Sequence, residues 1–522
     1  MQATTNSWLD VCIRLSELYF DNLEHCFRIL HRNTFFEQLN EFFSPAAAPQ
    51  QDSTFVVQML AVVCMGAMMG INNECQDVLR AQNGTIVDMT VLYMEQFLES
   101  MGSKKYYTVS TLQTKLLFLL LRWMRLDKHN DLWRASGDVL RHCLILKMDK
   151  DPDELAEAYT PLEAELRRRL WYTIVEEDMM LSILRNMPCM VPSFSTKPPL
   201  NINDAELHSH GPTPTPRSLD EWTDSLCQCV LAESAKDRLH ACRDLHSTNS
   251  LDYAHVLSHT RSFEKILDTL PPPLRFSHQN DAAHKVPSRL MARMELDISV
   301  RRPLMHLYAP FAHASDKSGE FAEARAGYLQ SCLMLDIYQD LFDPKYSELG
   351  VERPEGYWDF FYNLYRSELH QSISGICLEL KRISNSSLPD TQGPNTGPFK
   401  KPSHNRVSLT RAVKESLEPM VRRVSRLGSD VKQLSYFTIV FNSVNTVQYS
   451  EENVIDALEE LVAACRLQLQ RNDIPIVASQ KEAPTDSASG WTPGPGNDVS
   501  WTNLADFPFE FDYGNELGIA FS

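Results

Sequence analysis

The chain has 522 residues and a formal net charge of −18, from 50 Lys and Arg against 68 Asp and Glu. That length can bury a large core, and the acidity argues against a surface built to contact nucleic-acid phosphates. It suits a protein whose partners are other proteins.

Helical periodicity runs through nearly the whole chain. Across 16–30, Leu18, Tyr19, Leu23, Phe27 and Leu30 fall at helical spacing. A loop at 44–53, rich in Pro, Ala and Gln, precedes an uncharged stretch, 53–73. This stretch carries Gly66-x-x-x-Gly70, a spacing that lets helices approach closely, and its length approaches a membrane span. However, Gln58 lies within it, Asn72 and Asn73 close it, and no polybasic flank orients it. It is expected to be a buried core helix, with no membrane association. Leu112, Leu116, Leu119, Leu120 and Trp123 mark a further helix.

Thr160-Pro161-Leu162-Glu163 is a helix start in capping-box order. In the helix that follows, Leu166, Leu170 and Ile174 face inward and Arg167 to Arg169 cross a polar face. Trp171 and Tyr172 add aromatic bulk. The acidic run Glu176, Glu177, Asp178 could pair with the arginines across turns or with neighbouring helices. Loops follow at 208–220 and at Pro271-Pro272-Pro273. The run 436–444 is strand-like but isolated. The Ser-, Pro- and Gly-rich stretch 385–405 is expected to be disordered.

Twelve cysteines follow no regular framework and lie mostly in apolar, helix-like runs, which predicts reduced, buried thiols. The first ten residues have neither a basic nor an apolar leader region, so no secretory signal is expected. Cys227, Cys229, His240, Cys242 and His246 form the nearest metal-like grouping, but their spacing fits no zinc site. No metal or other cofactor is expected. No G-x-S-x-G, H-E-x-x-H or phosphate-cradling glycine loop is present, and no catalytic residue is assigned. A second acidic metal motif, which a helical metal-dependent enzyme would need, does not follow Glu176-Glu177-Asp178.

Five elements recur in a fixed order between 132 and 204. They are Trp133 with Gly137; Asp151-Pro152; Glu165, Arg167-Arg168-Arg169 and Trp171 with the later Asp178; Pro188; and the P-x-N-x-x-D-like segment that ends Asn201 to Asp204. This series resembles the regulatory domain of fungal-specific transcription factors, the middle homology region of zinc-cluster factors. Upstream, Tyr19-Phe20 and His31-Arg32-Asn33-Thr34-Phe35 resemble the start of that domain, and Arg301-Arg302-Pro303-Leu304 weakly resembles one of its later helices. Departures are Leu146-Lys147-Met148 in place of a Gly-Leu-His turn, Tyr172 for a second Trp, and Asn186-Met187-Pro188 for Gly-Arg-Pro. The resemblance implies an all-α, multi-helix array in which these residues are structural and regulatory.

The expected organisation is a regulatory helical domain at 1–310, a helical continuation at 311–472 and an acidic, aromatic, disordered tail at 473–522. The tail interleaves Trp501, Phe507, Phe509, Phe511 and Tyr513 with Asp506, Glu510 and Asp512, which suits an activation segment. A binuclear zinc cluster needs two cysteine-rich halves, and the chain contains no C-x-x-C. The reading is a nuclear transcription regulator that reaches DNA indirectly and controls a metabolic or secondary-metabolite gene cluster. Its expected partners are the transcription machinery or a coactivator and a paralogous zinc-cluster factor, with homo- or hetero-oligomers open. The alternatives are a repressor or decoy that sequesters partner factors, and a helical enzyme.

Overall fold

A computed structural model of the chain describes residues 2–44, 52–69, 73–102, 106–246, 251–275, 286–314, 319–342, 357–385, 404–424, 431–445 and 450–471. Most of the loop expected near 385–405 and the whole tail at 473–522 lie outside them. Among the described residues there are fifteen α-helices and no strand. They are α1 (Gln2–Asn22), α2 (Arg32–Phe43), α3 (Ser53–Met68), α4 (Asn73–Ser100), α5 (Val109–Met124), α6 (His129–Ile145) and α7 (Pro161–Arg185). There follow α8 (Leu226–Leu245), α9 (Tyr253–Asp268), α10 (Pro287–Ala312), α11 (Ala322–Phe342) and α12 (Tyr357–Asn385). The last three are α13 (Arg406–Arg422), α14 (Val431–Asn445) and α15 (Glu451–Arg471).

Neighbours in sequence are mostly neighbours in space. α3 packs on α1, α4 and α5; α5 on α6; α6 on α7; and α7 on α8. α10 is the hub of the array, touching α1, α7, α8, α9 and α11. It runs through position 310 without a break. α11 and α12 pack on each other, α12 reaches back to α5, and α13 to α15 close the far end. One continuous apolar core extends from Tyr19 to Leu461.

Local sequence explains the helix ends. The Thr160 side chain accepts from the Glu163 N–H while Glu163 accepts from the Thr160 N–H, so the capping box forms as expected. α6 and α7 both end in a left-handed residue. Lys147 has φ 56° and Asn186 φ 50°. In each turn two N–H groups fold back onto helix carbonyls: Lys147 to Leu144 and Met148 to Cys143, then Asn186 to Ile183 and Met187 to Ser182. These are the two turns in which the family pattern carries glycine.

The uncharged stretch is α3, and it is buried. Its one internal polar side chain, Gln58, donates to Thr114 Oγ1 (3.1 Å) and the Ser110 carbonyl (2.9 Å) on α5. No described helix is long and apolar enough to cross a membrane. A Cβ on Gly66 would fall 2.0 Å from the Leu15 carbonyl oxygen, so the glycine is what lets α1 and α3 touch through backbone.

Three expectations are corrected. The strand-like run 436–444 lies within α14, where Phe437, Phe441 and Val444 are buried at helical spacing. Tertiary packing overrides its β-branched content. Arg167, Arg168 and Arg169 do not form a solvated face, because all three are buried. Cys26 and Cys227 are not free thiols. The fold brings their Cα atoms to 5.5 Å across 201 residues, and the two sulfurs form a disulfide between the turn after α1 and α8.

Candidate functional site

α7 is buried on nearly every side from Arg167 to Arg185, although its sequence is rich in charge. That combination requires each charge to find a partner inside the protein. Most do, in clusters that gather the ordered sequence elements.

The first cluster surrounds Asp204. Its Oδ1 accepts from Arg169 Nη1 (2.7 Å) and from Arg28 Nη2, and its Oδ2 from the Arg32 N–H (2.9 Å). Its own N–H donates to Asp224 Oδ2 (2.9 Å). Its carbonyl accepts from His31 Nε2 (3.0 Å), so His31 Nδ1 is free to accept from the Thr34 N–H and cap α2. Burial alone would raise the Asp204 carboxyl, but Arg28 and Arg169 outweigh it and hold it well below the usual carboxylate range. Arg169 also donates to Glu165 Oε1 (3.2 Å), which accepts the Leu200 N–H (3.0 Å).

The second cluster surrounds Asp151. Arg168 grips it with two parallel bonds of 2.9 and 2.8 Å. The N–H groups of Lys197 (2.9 Å) and Asp153 (3.1 Å) complete it. Burial again opposes ionisation and is outweighed, here by Arg168 and the two backbone donors. Asp151 also caps the short turn Pro152–Glu154, with Pro152 at its first position. Arg167 takes a different partner, the Leu146 carbonyl, and lies over the Tyr159 ring at 4.5 Å.

The third cluster surrounds Asp178, which accepts from the Met190 N–H (2.9 Å), Cys189 Sγ (3.2 Å) and Ser136 Oγ (3.4 Å). Beside it Trp133 Nε1 donates to Ser182 Oγ, which donates to the Pro188 carbonyl. Trp171 is fully buried with its ring 5.3 Å from Phe194. Gly137 joins none of these clusters. A Cβ there would meet only the end of the flexible Arg141 side chain, at 3.4 Å.

Sequence reading missed several members. Arg28 and Asp204 are 176 positions apart, and no spacing rule links them. Glu176 is held by Arg238 of α8 through two bonds of 2.6 Å, a pair equally invisible in sequence. Glu24 accepts from Tyr19 Oη and the N–H groups of Ile29 and Leu30, and burial pushes it up to about 7. The members of the cysteine and histidine grouping take separate partners. Cys227 is in the disulfide, Cys229 Sγ faces the Pro199 carbonyl (3.3 Å), and Cys242 is buried while His240 is exposed. The tail residues from Trp501 to Tyr513 lie outside the described residues.

Chemically, Asp151 and Asp204 are held ionised and saturated with donors. They are suited to fixing the chain, not to accepting a proton. The irregular stretch 186–225 is held against α7 by these bonds, with Asn201 donating to the carbonyls of Arg217 (3.3 Å) and Ser218 (2.8 Å).

The fungal specific transcription factor domain matches residues 17–298, more than half of the chain. The chain belongs to this family. All three clusters lie within the matched stretch, and α11 to α15 lie beyond it. The chain is 27% identical over 358 residues to the transcription factor opdR of Penicillium oxalicum, covering 63% of this chain and 42% of that protein. It is 24% identical over 498 residues to the transcription factor asR3 of Sarocladium schorii, covering 90% and 57%. It is 25% identical over 266 residues to the aspyridones cluster regulator apdR of Emericella nidulans, covering 49% and 35%. The chain therefore spans about half the length of the curated relatives it matches. No solved structure matches it.

Next to the clusters of the family domain, a small cavity of about 20 Å³, room for about one water and partly open to solvent, lies where α5, α7, α10 and α12 meet. Leu119, Trp123 and Leu364 supply apolar wall, and Glu177, Glu295 and Arg302 supply polar groups. Burial pushes both carboxyls well above the usual carboxylate range, with Arg302 opposing it at Glu295. The backbone of α12 breaks from helical geometry at Tyr365, and Trp123 Nε1 donates to the Leu364 carbonyl there (3.2 Å).

Proposed function

We propose that this chain is the regulatory part of a nuclear transcription regulator that controls one biosynthetic gene cluster. DNA recognition is supplied from outside these 522 residues, by a zinc-cluster module on a partner factor or elsewhere in a longer product. The observation that carries the reading is that the charged residues of the family's signature are spent on buried contacts that hold a helical array together. None of these charges is left to read a base or phosphate. The net charge of −18 and the lack of any C-x-x-C in the sequence support the same division of labour. Control of a gene cluster is supported by the relative named as the aspyridones cluster regulator.

The tail at 473–522 is the proposed contact with a coactivator. Deleting the gene and profiling transcripts tests the whole reading. A contiguous set of biosynthetic genes should change together, and scattered changes or none would count against it. Fusing 475–522 to a heterologous DNA-binding domain tests the tail. A reporter should respond, and changing Phe507, Phe509, Phe511 and Tyr513 to Ala should silence it. No signal from the intact tail would sink that part alone.

A further inference from the structure

His240 and Asp244 lie four residues apart on α8, and His255 and His259 lie four apart on α9. That spacing puts each pair on one helix face. The two faces meet around one carboxylate oxygen. Asp244 Oδ2 is 2.8 Å from His259 Nε2, 3.4 Å from His240 Nδ1 and 3.7 Å from His255 Nε2. The imidazole centroids lie 4.9 Å (His255 to His259), 5.3 Å (His240 to His259) and 6.5 Å (His240 to His255) apart.

His259 is hydrogen-bonded to that oxygen, while His240 and His255 gather beside it at longer range. A shared cation would draw the donor atoms of His240, Asp244 and His259 onto one centre. A tetrahedral zinc ion with bonds of about 2.0–2.1 Å spaces its donor atoms about 3.3 Å apart. The distances from Asp244 to His259 and His240 bracket that edge, and the donor atoms of His240, Asp244 and His259 all fall within 4.8 Å of one another. Two imidazoles and one carboxylate are three protein ligands for a borderline divalent ion, with the fourth position left to water. His240 and His255 are exposed and Asp244 and His259 are half-buried, so an ion can enter from solvent.

We propose that His240, Asp244 and His259 form a zinc-binding site that staples α8 to α9. These two helices share few direct contacts, α9 packing mainly on α10, so the ion would fix an angle that packing leaves loose. The site is separate from any cysteine-based cluster and uses no thiol.

The test is zinc uptake by the full chain, measured by calorimetry and by metal content after dialysis. Wild-type protein should hold one equivalent that the His240→Ala/His259→Ala double variant lacks. Each single variant should weaken that equivalent at least about tenfold. Zinc should raise the thermal midpoint of the wild type and not that of the double variant. Circular dichroism in chelator should show both proteins folded. Equal uptake by wild type and double variant, or no saturable uptake by wild type, would overturn the proposal.

Discussion

Lys147 occupies a left-handed position that costs an ordinary residue roughly 1 kcal/mol. It closes the turn that leads to Asp151, so the strain sits beside a signature residue. Lys147→Gly should raise stability by about 0.5–1 kcal/mol in urea unfolding. Asn186→Gly should gain less, since Asn tolerates this region better than Lys does. A loss in the lysine variant would show that its side chain has a role the turn geometry does not reveal. A second residue-scale prediction concerns His129, whose ring stacks on Trp123 at 5.6 Å. Burial, with help from Arg366 and Arg185, lowers its pKa to about 3, against about 6.5 in an unfolded chain. Above pH 6.5 both states are neutral and its contribution is intact. As pH falls below 6.5 the unfolded chain takes up a proton that the fold refuses, and stability is lost at about 1.4 kcal/mol per pH unit. The stability difference between wild type and His129→Gln should therefore shrink by about 2 kcal/mol from pH 6.5 to pH 5. A difference that does not change with pH would mean that His129 takes up its proton as readily in the fold as in the unfolded chain.

Glycine contrasts test the account at the scale of whole helices. Gly137 belongs to the sequence signature, yet a methyl group fits there against Arg141 alone. Gly66 carries no signature, yet it brings α1 and α3 into backbone contact. Gly137→Ala should be neutral or stabilising by up to about 1 kcal/mol, from helix propensity. Gly66→Ala should cost about 1–3 kcal/mol by overpacking. Thermal unfolding of the two variants checks the contrast, and the reverse order would contradict the packing described. The same scale shows what was legible. Apolar periodicity and the Thr160 cap are local signals, so α3, α5 and α7 could be read directly. The run 436–444 misled because Thr438, Ile439 and Val440 favour strands locally, while the α12 and α13 surfaces that bury α14 are not written in it.

At the scale of the molecule, the ordered motif was legible and its purpose was not. Asp151, Arg168, Arg169 and Asp204 stand out in sequence, but their partners come from distant segments. Arg28 reaches Asp204 only because the turn after α1 folds against α7, and Arg238 reaches Glu176 only because α8 does. Periodicity also suggested that Arg167 to Arg169 were a wet face. A helix packed on nearly every side leaves no such face, and each of the three arginines is paired with a carboxylate or bound to a carbonyl instead. The clusters tie α1, α2, α7 and the stretch 186–225 into one body at the start of the array. That body is the central claim, and urea unfolding of Asp204→Asn measures it most directly. The change leaves Arg28 and Arg169 buried around a neutral group, which should cost about 3–5 kcal/mol or prevent folding. The pair Arg169→Met and Asp204→Leu should cost less together than the sum of the two alone, because Asp204→Leu by itself strips the carboxylate from both Arg28 and Arg169, while the pair leaves only Arg28 without it. An Asp204→Asn midpoint within about 0.5 kcal/mol of wild type would contradict the account, since a signature residue that does not hold the fold must be acting on something else.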